Sequence, residues 1–168
     1  MKLRNLVSAV ALAACAVPAL AQSTLTLYTS QPNEDAQQTV SAFQELYPDI
    51  KVNWIRDGTT KLMARLQAEM AAGAQTPDLL LIADSVTMED LKQNGLLQAY
   101  KSPQAEVYEE ALYDPQGYYY GTKLITPGIA YNQQAPSKPT SWHDLLQPEL
   151  KGMRTMPSPL YSGAALIH

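Results

Sequence analysis

The sequence predicts an α/β fold, a parallel-type sheet flanked by helices. Three observations predict it. Short β-favouring runs alternate with helical stretches over the first seventy or so residues after the leader. The helical stretches carry apolar residues at helical spacing and are closed by Pro or Gly. That alternating order implies βαβ units, whose strands run parallel. The chain has 168 residues, 46% hydrophobic and 17% charged. Such a composition suits a folded domain rather than a fibrous or disordered chain.

Residues 24–28 (TLTLY) form the first β-favouring run, followed by the polar loop Thr29-Ser30-Gln31-Pro32. Asn33 is placed to cap a helix whose first turn carries Glu34 and Asp35, both favourable at the positive end of the helix dipole. Val40, Phe43 and Tyr47 recur at helical spacing, and Pro48 stops the helix. Residues 50–55 (IKVNWI) alternate apolar and polar, as a half-buried strand does. Gly58-Thr59-Thr60 then reads as a turn and helix cap. Leu62, Met63, Leu66 and Met70 make one apolar stripe, and Gly73 ends it. Residues 78–83 (DLLLIA) fit a strand buried on both faces, although periodicity alone does not exclude a helix. Ser85 or Thr87 caps a short helix reaching Leu91, closed by Asn94-Gly95.

Beyond this the pattern loosens. Pro103, Pro115 and Gly117 punctuate residues 96–120. Adjacent tyrosines in a strand face opposite ways, so at least one of Tyr118, Tyr119 and Tyr120 is expected in the core. Residues 124–132 (LITPGIAYN) read as a strand bent by Pro127 and Gly128 or lying at an edge. Ser141 to Asp144 fits a capping box, with Leu145 and Leu146 as the apolar face that follows. Residues 153–156 are a fourth candidate strand, and Tyr161-Ser162-Gly163 opens a last helix. That helix has no stop signal before His168, so the chain reads as a fragment.

Residues 1–21 read as a secretory signal peptide. Lys2 and Arg4 form a positive start, an apolar stretch follows from Leu6, and Ala19-Leu20-Ala21 gives small residues for cleavage after Ala21. The only cysteine, Cys15, lies inside this leader, so cleavage leaves no thiol, as suits an oxidising compartment. The alternative is a lipoprotein box, Leu12-Ala13-Ala14-Cys15, with the chain anchored at Cys15. The apolar AVPALAQ that follows makes a poor tether.

The formal net charge of −4 leaves no basic excess for holding nucleic acid by its phosphates. No Gly-rich phosphate loop, HExxH, cysteine pair or Gly-x-Ser-x-Gly elbow is present. The pairs Glu34-Asp35, Glu89-Asp90 and Glu109-Glu110 fall at helix starts or on the surface, and His143 sits in a capping turn. Nothing here asks to be called an enzyme. In parallel sheets, ligands bind outside the carboxyl ends of the strands. The residues there are Tyr28-Thr29-Ser30-Gln31, then Arg56-Asp57-Gly58-Thr59-Thr60, then Asp84-Ser85, of which Thr29, Ser30, Gly58, Thr59, Thr60 and Asp84 are the candidate ligand-binding residues. Taken singly, each is an ordinary helix cap or turn former. Taken together they form a rim of hydroxyls and helix N-termini suited to an anion.

The run LTLYTSQPNEDAQQTVSAFQELYPDIKVNW, with TPDLLLIADSVTMEDLKQNGLLQAY, GIAYN, PTSWHDLLQPELKGMRTMPSP and PLYSGAALIH in order, resembles bacterial periplasmic solute-binding proteins of ABC importers. The likeness is to the branch that includes ferric-ion-binding proteins and relatives for phosphonates, thiamine and sugar phosphates. It implies a two-lobed, hinged protein that closes on its ligand and delivers it to a membrane permease. Residues 22–125 would form the first lobe, 126–132 an interlobe crossover, and 133–168 the start of a truncated second lobe. Ser162 and Gly163 match the family's anion-binding turn. Asp84 falls where the ferric branch places an acidic metal ligand, although that branch's histidine after the first strand is absent here. The implied cargo is Fe(III) or a small oxyanion of phosphate, phosphonate or sugar-phosphate type. The implied partner is an inner-membrane permease, with no nucleic acid, and the protein is expected to be a periplasmic monomer. The alternative is an extracytoplasmic enzyme or sensory ligand-binding domain whose key residues lie past His168.

Overall fold

A computed structural model describes residues 23–166. The expected leader, with Cys15 and the expected cleavage after Ala21, and the last two residues lie outside the described residues. Three parallel strands alternate with three helices: β1 (Ser23–Thr29), α1 (Asn33–Leu46), β2 (Ile50–Arg56), α2 (Thr59–Ala71), β3 (Leu79–Leu81) and α3 (Ser85–Gln93). The sheet order is β2-β1-β3, so the first strand is the central one. Both pairings are parallel, and the register sets Thr29 opposite both Arg56 and Leu81. All three carboxyl ends therefore finish level. The ladder runs slightly past them, through Ser30 N–H to the Leu81 carbonyl at 3.0 Å and Asp57 N–H to the Thr29 carbonyl at 3.3 Å.

The core gathers around β1. Leu27 and Tyr28 of that strand are buried with Ala36 and Val40 of α1, Leu62 and Leu66 of α2, and Leu91 of α3. The Tyr28 hydroxyl docks α2 by donating to Glu69 at 2.7 Å, while Arg65 Nε donates to that hydroxyl at 2.9 Å and to Glu69 at 2.7 Å. Burial pushes the Tyr28 phenol up, reinforced by its bond to Glu69. That same bond holds the Glu69 carboxyl below its ordinary range.

Several expectations are corrected. Pro32, not Asn33, occupies the N-cap of α1; it offers no side-chain acceptor, and Asn33 becomes the first helical residue. Tyr47 lies just past α1, 53% exposed, its ring against Phe43 at 4.9 Å. Met70 falls off the buried stripe of α2. Strand β3 is shorter than expected and lies at a sheet edge, which leaves Leu79 half exposed instead of buried on both faces. Neither Ser85 nor Thr87 caps α3. Asp84 does, its Oδ1 accepting from Thr87 N at 2.7 Å, because the extended backbone at Asp84 aims its short side chain back at the first turn.

Residues 124–132 are not a strand. Pro127 and Gly128 interrupt the run, and Leu124 and Ile125 are exposed. Residues 153–156 are not a strand either; Met153 and Met156 point to solvent. The capping box does form: Ser141 N donates to Asp144 Oδ2 at 2.9 Å and Asp144 N to Ser141 Oγ at 3.3 Å. It opens only a short 3-10 helix, His143–Leu146, in which Leu146 stays exposed. The last helix, α4, spans Gly163–Leu166 among the described residues.

The tyrosine triplet has no fully buried member; all three are half-buried. It forms one arm of a small hairpin in which Tyr113 pairs antiparallel with Tyr120 across the turn Asp114-Pro115-Gln116-Gly117. Gly117 adopts φ 83°, a left-handed conformation that favours glycine. Buried Asp114 organises this turn, accepting from Tyr118 N at 3.0 Å and from Lys92 Nζ at 2.6 Å. Tyr119 adds a hydroxyl bond to Glu89 at 2.9 Å, which ties the hairpin to α3.

Candidate functional site

The level strand ends create the rim. Thr29 is completely buried at the end of β1, its Oγ1 accepting from Gln31 N at 3.2 Å, which folds the loop back over the strand. Ser30 is half-buried beside it. Gly58 and Thr59 are buried at the start of α2, with Thr60 half-buried next to them. Thr59 Oγ1 accepts from Ala83 N at 3.4 Å, so the start of α2 is tied to the end of β3. Asp84, 5% exposed, follows directly.

The hydroxyls at these tips are not helix caps. Neither α1 nor α2 carries a side-chain cap at its N-terminus. The first N–H groups of a helix have no intrahelical acceptor, and together with the dipole they favour an anion. Of the three helices that flank the sheet, α3 alone is closed by a side chain, that of Asp84.

A distant segment completes the rim. Gly163 is buried on top of Thr59 and Asp84: a Cβ built there would stand 2.6 Å from Asp84 Oδ2 and 2.8 Å from Thr59 Oγ1. Thr60 Oγ1 donates to the Pro159 carbonyl at 3.3 Å. Ser162 Oγ accepts from Ala165 N at 3.3 Å and so opens α4. The structure therefore brings Gly58, Thr59, Thr60, Asp84, Ser162 and Gly163 into one neighbourhood. Thr29 and Ser30 stand at the adjacent strand end, where Ser30 and Asp84 also border an open groove of about 1460 Å³.

Asp84 Oδ2 is buried and has no hydrogen-bond partner, as is Gln31 Oε1 at the β1 tip. A buried unpaired acceptor is costly and asks for a donor or a cation. Among the described residues, no group of three or more His, Cys, Asp and Glu stands close enough to hold a metal ion. A cation at Asp84 would need oxygen donors of other kinds.

Sequence reasoning put Arg56 at the strand tip without making it a site residue, and missed Lys61 and Tyr161 as partners of the rim. Arg56 Nε donates to the Gln31 carbonyl at 3.0 Å, and its Nη1 donates to the Tyr161 hydroxyl at 2.9 Å. Lys61 Nζ lies 5.4 Å from the centre of the Tyr161 ring. Arg56 stands at the end of a strand and Lys61 in the first turn of the helix after it, and cations there were a readable signal beside an anion-suited rim. Tyr161 is more than one hundred residues away in sequence, and nothing local points to its partners.

Parallel strands with ligand-suited tips and a distant segment folded onto them define a binding lobe of the α/β type. The model of bacterial extracellular solute-binding proteins matches residues 74–166, more than half of the chain, and the chain belongs to that family. It is 28% identical over 155 residues to an uncharacterized protein of Haemophilus influenzae, a match covering 86% of this chain and 44% of that one. Its fold is similar to that of the periplasmic binding protein AfuA of Actinobacillus pleuropneumoniae, solved with fructose-6-phosphate bound. That match has a TM-score of 0.60 and 22% identity over 84% of this chain and 47% of the other. It is also similar to the Trichodesmium protein IdiA, or FutA, solved with iron and citrate, at a TM-score of 0.50 and 22% identity over 58% of this chain and 30% of that one. The chain thus spans less than half the length of these relatives. Among the described residues, no helix is long and apolar enough to cross a membrane.

Proposed function

We propose that this chain belongs to the periplasmic substrate-binding component of an ABC importer, which captures a small oxyanion-bearing solute and delivers it to an inner-membrane permease. The solute class is phosphate, phosphonate or phosphate ester. The observation that carries this reading is the pair of helix N-termini, α1 and α2, that open at one level sheet edge without side-chain caps. Backbone N–H groups at Thr59 and Thr60, with the hydroxyls of Ser30, Thr59 and Ser162, supply neutral donors for the anion, the Gly58 N–H being taken by Asp57 and the Thr60 hydroxyl by the Pro159 carbonyl. In this reading residues 22–125 form one lobe, 126–132 the crossover and 133–168 the start of a second lobe, and capture proceeds by closure between the lobes. The family match supports binding rather than catalysis as the role of this rim.

A second reading is supported by one atom. Asp84 Oδ2, buried and unpartnered, would suit Fe(III) carried with a synergistic anion. Titration calorimetry with inorganic phosphate, 2-aminoethylphosphonate, fructose-6-phosphate and ferric citrate separates the two. Heat with the phosphorus compounds and none with ferric citrate is the expected result. Silence with all four overturns the oxyanion class.

A further inference from the structure

Tyr161 is held from three sides. Its hydroxyl meets Arg56, its ring lies beneath Lys61, and its backbone and ring edge rest on Gly58. The seat on Gly58 exists only because that residue lacks a side chain. A Cβ there would overlap the Tyr161 carbonyl oxygen and stand 2.8 Å from Cδ2 and 2.9 Å from Cε2. Arg56 adds a strut, since the same guanidinium also bonds the Gln31 carbonyl of the first strand tip. One cation thus joins the β1 loop, the β2 end and the distant segment. Directly after Tyr161 come Ser162 and Gly163, and Gly163 sits over Thr59 and Asp84.

We infer that Tyr161 is a positioning residue: seated on Gly58 between Arg56 and Lys61, it sets the Ser162-Gly163 turn over the start of α2. The Tyr161 seat spaces the turn by contact, with no ligand needed to bridge the two segments. Its planar ring fills the flat surface that Gly58 leaves, and the two cations favour an aromatic face and a hydroxyl over an aliphatic side chain. The meaning of this for capture rests on the oxyanion reading; the seating itself does not.

The test is amide hydrogen exchange on the ligand-free chain, comparing wild type with Gly58→Ala, Tyr161→Ala and Tyr161→Phe. The amides of Ala165 and Leu166, both bonded to the Ser162 carbonyl, report the turn, and those of β1 report the sheet. Exchange at Ala165 and Leu166 is expected to rise about tenfold in Gly58→Ala and Tyr161→Ala with β1 unchanged. Tyr161→Phe, which keeps the ring and loses only the hydroxyl, restores most of the protection. Equal exchange in all four proteins, or a rise that includes β1, overturns the positioning role. Binding of inorganic phosphate is then measured on the same set. A tenfold loss in Tyr161→Ala, recovered largely in Tyr161→Phe, is the expected result, and phosphate affinity unchanged in Tyr161→Ala overturns the role in capture. Failure of wild type to bind phosphate counts against the oxyanion reading alone, because the exchange comparison decides the seat without ligand.

Discussion

Asp84 and Gly163 meet so closely that a methyl group on the glycine would stand 2.6 Å from the carboxylate Oδ2. The other oxygen of Asp84 caps α3 at Thr87 N. A single carboxylate therefore anchors a helix within its own segment and marks where a segment far along the chain must come to rest. Gly163→Ala is expected to displace the Ser162-Gly163 turn and weaken capture of inorganic phosphate by about tenfold, equivalent to roughly 1.4 kcal/mol. Calorimetry reads it, and unchanged affinity refutes the contact.

Asp84→Asn separates the two cargo readings. Asn caps a helix about as well as Asp, so melting should shift little. The variant removes a negative charge beside the bound solute. Phosphate affinity is expected to hold or rise, whereas an iron protein would lose affinity by about 100-fold with its ligand neutralised.

Leu62 is 1% exposed beneath α2, among the most deeply buried side chains described. Leu62→Ala should cost about 2–5 kcal/mol through lost apolar contact and the cavity left behind. A urea melt followed by circular dichroism checks it; a cost below 1 kcal/mol would mean that α2 is not packed on β1 as described.

Tyr28→Phe keeps the ring in the core and removes the bond to Glu69. About 1 kcal/mol of stability should go with it. Glu69→Gln, at a less buried position, should cost less. The same melt distinguishes them, and the reverse ranking would place the weight on the Arg65–Glu69 surface pair instead.

The hairpin anchor predicts a pH response. Burial pushes the Asp114 carboxyl up, but the Lys92 ammonium and the Tyr118 N–H outweigh it and hold it below its ordinary range. A carboxyl depressed in the folded state lends stability above its unfolded value, near pH 4, and that stability drains away as pH falls through the folded value. Lys92 is raised, chiefly by its bond to Asp114, so its share is present below about pH 10 and is lost above. The melting temperature of wild type should fall below pH 4, and Asp114→Asn should flatten that fall. Parallel curves would remove Asp114 from the account.

The parallel sheet was legible because its signals are local. Alternation marks residues 50–55, and Pro48, Gly73 and Gly95 mark where helices stop. The rim was legible for the same reason, since strand tips follow from strand order. Residues 124–132 and 153–156 misled, because β-favouring composition forms a strand only where a partner strand is available, and none flanks them among the described residues. Capping was read too generously at Asn33, Ser85 and Thr87, where Pro32 and Asp84 hold the position. Tyr161 was invisible as a partner of Arg56 because that bond spans most of the chain.

Because β1 lies in the middle of the sheet, every rung joins residues with an entire helix or more between them. Loop closure of that span must precede any reward from pairing, so assembly of this sheet is slow compared with a helical bundle.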